Sequence, residues 1–279
     1  MTLVHNTYGK GRVRVMRLHT TAERHEVREL SVQVMIEGDF GRAYTDADNS
    51  TSVATDTMKN LVNIVARENP ALETEPFCAA VAKRLLDRYP QIAKAIVTGS
   101  ETQWVRLSVD GAPHPHGFVL AGNGKPFATV TTARAEMKTT SGIDGFTFMK
   151  TTASGWENYV IDDCTTLKPT DDRICATSMR AEWAWRSAPA DYPASRQRIL
   201  DTMLEVFLTT YSASVQDSLY RMGEAALAAV PEIEMITLAC PNKHYIPMNL
   251  SAFGLENDNV VFLPTDEPHG QIECTVGRG

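Results

Sequence analysis

The chain has few cysteines and spaces them widely. Its 279 residues contain five, an odd number, and none of them forms a C-x-x-C motif. This pattern argues against a disulfide framework or a zinc site and favours free thiols in a reducing compartment. The cysteines are Cys78, Cys164, Cys175, Cys240 and Cys274.

Long apolar runs and targeting signals are also missing. No segment approaches the roughly 20 apolar residues needed to span a bilayer, and the first residues show no signal-peptide pattern. Residues 276–279 read VGRG, which is not the Ser-Lys-Leu peroxisomal signal. We therefore expect a cytoplasmic protein with no membrane partner.

Basic charge is in deficit. The 27 Lys and Arg residues against 34 Asp and Glu residues leave a net charge of −7. General nucleic-acid binding requires a basic face, so that class of function is disfavoured. An anionic small ligand remains possible, because a few local cations outweigh a diffuse negative field.

Residues 53–60, VATDTMKN, stand where an extended apolar run gives way to a helix. The apolar positions Met58, Leu61, Val62 and Val65 have the spacing of one helical face. Thr55 and Asp56 are predicted at the N-cap, where backbone amides lack intrahelical partners and the helix dipole favours an anion. Taken alone, the motif is more often an ordinary capped surface helix.

The remaining pattern predicts an α+β fold. Alternating stretches at 12–18 and 27–36 indicate paired antiparallel strands, and two helices follow them. Asn123-Gly124 predicts a hairpin turn. The second half repeats the plan with strands at 146–150 and 174–185, two helices, and strands at 233–239, 260–263 and 272–276. Antiparallel sheet with helices layered on one side is the expected architecture.

The second half offers another helix start of interest. Ser214 and Asp217 form an S-x-x-D pattern, which resembles a capping box. Val215 and Gln216 would then lie in the first helical turn with amides free to face an anion. Ordinary capping is again the commoner interpretation without further context.

Together the motifs resemble the urate oxidase (uricase) family over the whole chain. Besides VATDTMKN, they are YGK at 8–10, DNS at 48–50, HPH at 114–116, TTL at 165–167, DR at 172–173, SVQ at 214–216, PNKHY at 241–245 and CTVGR at 274–278. The resemblance implies two tandem tunnelling-fold (T-fold) domains, here 1–137 and 138–279. It also implies a homotetramer in which sheets of several subunits form a barrel and active sites lie at subunit interfaces.

The resemblance further implies how the substrate is bound. Arg173 would clamp one edge of the pyrimidine ring of urate, and Gln216 would match the neighbouring edge beside the Val215 N–H. The Asp56 N–H and the Thr55 side chain would hold the imidazolone end. A rigid guanidinium fork suits a planar acceptor edge, although most arginines are solvated or ion-paired.

The residues implied for the chemistry are Lys10, Thr55 and His244 as a proton relay. Asn242 and Thr55 would hold water or dioxygen above the purine. Lys10 acts as a base only if its pKa is lowered by burial or by nearby cations. Without the resemblance, a lone Lys on a strand and a lone His would be taken as surface and structural residues.

Trp156 departs from the family pattern. The family has a stacking Phe seventeen residues before the Arg, and that count from Arg173 ends at Trp156. An indole stacks on a purine as well as a phenyl ring does, but it is larger. The size of the pocket is therefore open, and Tyr159 is the alternative if the register shifts.

His114 and His116 share one face if H-P-H lies on a strand, as half of a metal site would. No third ligand cluster accompanies them in the sequence, and the resemblance implies catalysis without metal or cofactor. The implied reaction oxidises urate with dioxygen to 5-hydroxyisourate and hydrogen peroxide. The alternative is a non-oxidative T-fold protein that binds purines or pterins. A cyclohydrolase-like enzyme would need metal ligands, and a catalytically inactive purine binder could lose Lys10 or His244; the sequence meets neither condition.

Overall fold

The computed structural model describes residues 1–279, and the chain divides into two compact units, Met1–Gly142 and Ile143–Gly279. Both consist of antiparallel strands and helices, as the α+β prediction states. The exact domain bounds 1–137 and 138–279 remain a prediction. None of the helices has both the length and the apolar character that crossing a membrane requires.

The first unit begins with two long strands, and its elements follow in chain order. They are β1 (Tyr8–Thr20), β2 (His25–Gly38), α1 (Gly41–Thr45), α2 (Thr55–Glu68), α3 (Thr74–Arg88), β3 (Ile92–Thr102), β4 (Trp104–Val109), β5 (Ala112–Leu120), β6 (Lys125–Ala133) and the start of β7 (Glu136–Lys150). The sheet order is β1-β2-β3-β6, while β4 and β5 form a separate hairpin.

The second unit continues β7 and adds three more strands. Its other elements are β8 (Cys175–Trp185), α4 (Tyr192–Thr209), α5 (Val215–Ala229), β9 (Ile233–Pro247), a short 3-10 turn (Ser251–Phe253) and β10 (Phe262–Gly277). The strand order is β7-β8-β9-β10, with antiparallel pairing of β8 with β9 and of β9 with β10.

The predicted apolar faces form the two cores. In α2, Met58, Leu61, Val62 and Val65 are all buried, which confirms the helical spacing. In β8, Met179, Ala181 and Trp183 alternate into the second core, which also contains buried side chains of α4 and α5. Burial of a large apolar side chain stabilises a fold by about 1.5–3 kcal/mol, so these faces hold the helices on the strands.

Three local predictions were wrong. The N-cap of α2 is Ala54, so Thr55 and Asp56 are the first two helical residues. Residues 260–263 and 272–276 belong to one strand, β10, whose register shifts between Thr265 and Gly270.

Asn123-Gly124 does not close the predicted hairpin, because β6 pairs with β3 rather than with β5. The tight turn lies at Asp110 and Gly111, between β4 and β5, where both residues have positive φ angles of 51° and 79°. Two successive positive φ angles are what a type I′ hairpin requires.

Candidate active site

In the first unit, the start of β1 is held against the segment that precedes α2. The Tyr8 hydroxyl donates to the Val53 carbonyl at 3.1 Å and accepts from the Val53 N–H at 2.7 Å. Gly9 must lack a side chain, since a Cβ there would lie 1.8 Å from the Val34 carbonyl oxygen. Lys10 follows, half-buried and opposite Val34. The YGK segment therefore places Lys10 beside the start of α2.

No side chain caps the first turn of α2. The Asp56 carboxylate instead accepts hydrogen bonds from Lys59 and Asn60 of its own helix. Lys59 lowers the pKa of Asp56, and Lys10 adds a smaller electrostatic effect in the same direction. The Asp56 carboxylate is thus engaged within its own helix, and its backbone N–H lies in the uncapped first turn. Thr55, also half-buried, lines a cleft of about 460 Å³ with Tyr8.

The second unit contains a larger cleft of about 930 Å³. Four of the predicted residues line it together: Trp156, Arg173, Asn242 and His244. Arg173 forms no ion pair within the chain, and its Nε is buried without a hydrogen-bond partner. A buried donor without an acceptor costs about 1–3 kcal/mol, so this guanidinium is suited to an anion that enters the cleft.

Trp156 is positioned by both its backbone and its ring. Its N–H donates to the Thr170 carbonyl at 2.7 Å, and the Thr170 N–H donates back at 3.1 Å. The indole stacks on Tyr159, with ring centroids 5.7 Å apart and planes 11° apart. Trp156 lines the cleft, whereas Tyr159 does not.

Asn242 and His244 lie two residues apart on β9, a spacing that places them on the same face. Opposite them, β10 departs from regular pairing: Gly270 pairs with Asn242 and Thr265 with His244. The register of β10 shifts between these two pairs, so residues 266–269 lie opposite Lys243 alone. On its other side β9 pairs regularly with β8, where Asn242 lies opposite Thr177.

The start of α5 matches its prediction. The Ser214 Oγ accepts from the Asp217 N–H at 3.0 Å, so Val215 and Gln216 are first-turn residues. Neither lines the 930 Å³ cleft. Val215 is buried and shares a small adjoining void of about 10 Å³ with Asn242, whereas Gln216 is exposed.

The histidines of H-P-H lie on β5 with ring centroids 4.5 Å apart. The His114 Nδ1 accepts from the His116 N–H at 3.3 Å, so one ring nitrogen is engaged. Ligand atoms of three possible metal-binding groups approach one another only at the exposed residues Asp162, Asp163 and Cys164. Acidic clusters of this kind are common on surfaces and assign no metal.

Sequence reasoning missed some residues that organise these clefts. Tyr8 belongs to the YGK motif, but the motif alone does not indicate that its hydroxyl holds Val53. Gly155 and Tyr211, beside the Trp156 and Arg173 segments, gave no signal, because their contact joins distant parts of the chain.

Comparisons with known proteins identify the family of this chain. A family model described as uricase matches residues 6–131 and 139–273. A uricase from Dictyostelium discoideum is 36% identical over 281 residues, which cover 99% of this chain and 98% of that protein. One from Aspergillus flavus is 36% identical over 287 residues, covering 97% and 95%. The crystal structure of an Arthrobacter globiformis uricase has a TM-score of 0.94 at 33% identity, covering 100% of this chain and 95% of that one. The chain therefore belongs to the uricase family.

Proposed function

We propose that this protein is a urate oxidase, which converts urate, dioxygen and water to 5-hydroxyisourate and hydrogen peroxide. Family membership supports the proposal. The structural observation that carries it is Arg173, whose unpartnered Nε accompanies Trp156 in one cleft. A guanidinium beside a large aromatic ring is complementary to a flat, anionic heterocycle.

The reaction requires little of the protein beyond binding and proton transfer. Urate that has lost a further proton is electron-rich, and it passes two electrons to dioxygen, which leaves as hydrogen peroxide. Water then supplies the hydroxyl group at C5. The site must supply a cradle for the anion, a base and a polar space above the ring. Cofactor independence is part of the proposal, since the sequence contains no dinucleotide fingerprint.

Two groups of residues divide this work. Arg173 and Gln216, with the Val215 N–H, bind the pyrimidine edge, while the Asp56 N–H and Thr55 hold the other end. The uncapped first turn of α2 supports the second half of this assignment, because its amides have no competing side chain.

Lys10, Thr55 and His244 form the proton relay, and Asn242 helps to hold dioxygen or water. The closeness of Lys10 to the α2 start supports this role, since Lys10 is near enough to affect the pKa of Asp56. The paired placement of Asn242 and His244 on β9 supports the role of the other two.

The active unit in this proposal is a cytoplasmic homotetramer in which two subunits complete each site. The observation in support is that Thr55 and Arg173 line different clefts, each formed within one unit of the chain. Sites shared between subunits would let one ligand use both helix starts.

The decisive test uses purified protein that has been treated with a chelator and dialysed. We expect loss of the ultraviolet absorbance of urate with formation of one equivalent of peroxide. Activity that vanishes and returns only with added metal would contradict cofactor independence. Binding of urate without any turnover would favour the non-oxidative alternative.

The shared site has its own test. A Thr55→Ala protein and an Arg173→Ala protein, each impaired, are mixed under conditions that exchange subunits. Hybrid oligomers should regain activity, because some sites then combine two intact halves. If mass spectrometry shows exchange and no activity returns, the shared-site proposal is wrong.

A further inference from the structure

Three separate segments of the second unit meet behind the Arg173 cleft. The Ser212 N–H donates to the Ala153 carbonyl at 2.9 Å, and the Gly155 N–H donates to the Ser212 carbonyl at 2.9 Å. Trp156 and Thr170 exchange two further backbone bonds. The segment that leads into α5 is therefore tied to the Trp156 segment, which is tied in turn to the segment that leads to Arg173.

Tyr211 connects the first of these segments directly to the third. Its hydroxyl donates to the Asp171 carbonyl at 2.8 Å, two residues before Arg173. Gly155 leaves the space for that bond, since a Cβ there would lie 2.1 Å from the Tyr211 hydroxyl and 2.9 Å from the Thr170 carbonyl oxygen. The Tyr211 bond is the direct link between the α5 entry and the Arg173 segment.

The α5 entry is itself firmly anchored. The Ser218 hydroxyl donates to the Ser212 hydroxyl at 2.7 Å, and both side chains are buried. Ser214 caps the helix three residues before its partner Asp217. A displacement of Tyr211 would therefore be transmitted to the loop that carries Arg173 rather than to the helix.

We propose that Tyr211 is a positioning residue that sets the location of Arg173 relative to Trp156 and to the first turn of α5. The inference rests on the proposed function, and it adds a residue that touches no substrate. In the ground state and in the transition state Arg173 makes the same contact, so a misplaced Arg173 weakens binding without slowing the chemical step.

The test is Tyr211→Phe, which removes only the hydroxyl. Wild-type urate oxidation is measured first, so failure of the proposed function is seen separately. Binding is then measured calorimetrically with xanthine, which keeps the dione edge of urate and lacks its C8 oxygen. We expect the xanthine Kd and the urate KM to rise roughly three- to tenfold, as for one lost hydrogen bond, with kcat within about twofold.

The matched control is Tyr220→Phe, on an exposed tyrosine of α5 that hydrogen-bonds Glu224 and lies outside the cleft. It should leave the Kd, KM and kcat unchanged. A Tyr211→Phe protein that melts at a lower temperature but binds xanthine like the wild type would overturn the proposal, because Tyr211 would then be merely structural.

Gly155→Ala sharpens the result, since its methyl group would displace the Tyr211 hydroxyl. The double variant Gly155→Ala/Tyr211→Phe should bind xanthine no more weakly than Gly155→Ala alone. Fully additive losses would show that the two positions act independently and would refute the link. If Gly155→Ala does not fold, Tyr211→Phe and its control decide the matter alone.

Discussion

The two helix starts at residues 54–56 and 214–216 differ in how their free backbone amides are satisfied. Each leaves backbone amides without helical partners. Ser214 satisfies one of these amides with its hydroxyl, whereas Ala54 has no side chain that can do so. The α5 start is thus stabilised by the chain itself, and the α2 start is left open to a ligand.

The two clefts differ in the charge of the side chains that line them. No charged side chain lines the 460 Å³ cleft that contains Thr55. The 930 Å³ cleft contains Arg173 with His244, and its helix start lies outside the lining. The first unit thus offers an uncapped helix start beside an uncharged cleft, and the second offers a cleft lined by the charged residues Lys168, Asp172, Arg173 and Lys243. That difference supports the proposal, first implied by the family resemblance, of a site that two subunits complete.

Removing the Arg173 cation should have a large effect on ligand binding. Arg173→Ala should weaken xanthine binding by about 2–5 kcal/mol, the scale of a truncated charge contact. Titration calorimetry measures the change. Arg180→Ala is the control, because this exposed β8 arginine pairs with Glu182 at 2.8 Å and lies outside the cleft. Equal losses in both variants would show that Arg173 is not the specific contact.

Lys10→Met tests the proposed role of Lys10 in the proton relay. Loss of a general base typically lowers the rate by about 10²–10⁴-fold, so kcat should fall by at least roughly a hundredfold. Xanthine affinity should stay within about tenfold. Lys94→Met, on β3 and paired with Glu37, is the control and should change neither value. If Lys10→Met instead weakens xanthine binding as much as Arg173→Ala and leaves kcat unchanged, Lys10 is an electrostatic anchor.

Periodicity predicted the elements that bury one face. The helical spacing of Met58 to Val65 and the alternation through Trp183 are strong because burial decides both. Helix ends are decided by single hydrogen bonds. The helix start predicted from the S-x-x-D pattern at Ser214 was confirmed. The N-cap predicted at Thr55 was wrong by one residue, because the N-cap is Ala54, which makes no capping hydrogen bond that a sequence pattern could indicate.

Pairing between distant strands was harder to predict. Both Asn-Gly and Asp-Gly favour tight turns. The pairing of β4 with β5 shows that Asp110-Gly111 closes a hairpin, and the pairing of β6 with β3 shows that Asn123-Gly124 does not. Grouping of Trp156, Arg173, Asn242 and His244 in one cleft came from family resemblance, since no local pattern links them. The Tyr211 contact spans forty residues of sequence and had no signal at all.

Removing the Ser214 cap, which α5 has and α2 lacks, should have a moderate effect on stability. Ser214→Ala should lower the free energy of unfolding by about 0.5–2 kcal/mol, because the Asp217 amide loses its acceptor. Urea denaturation monitored by circular dichroism measures the loss. Ser187→Ala, outside the helices, is the control and should be within about 0.5 kcal/mol of the wild type. An unchanged stability would show that water replaces the cap at no cost.

The smallest effect on stability and binding is expected from giving α2 a serine N-cap like that of α5. Ala54→Ser places a hydroxyl at the N-cap, where it should accept from a first-turn amide and stabilise the protein by about 0.5–1 kcal/mol.

The added cap competes with the ligand for the same amides, so the urate KM should rise by roughly two- to fivefold while kcat changes less. Ala43→Ser is the matched control: it puts the same hydroxyl into the same cleft, away from the start of α2, and should change neither stability nor KM. If Ala54→Ser raises stability and leaves the KM unaltered, the first-turn amides of α2 do not bind urate. The open helix start would then need another explanation, and the contrast between the two units would concern folding alone.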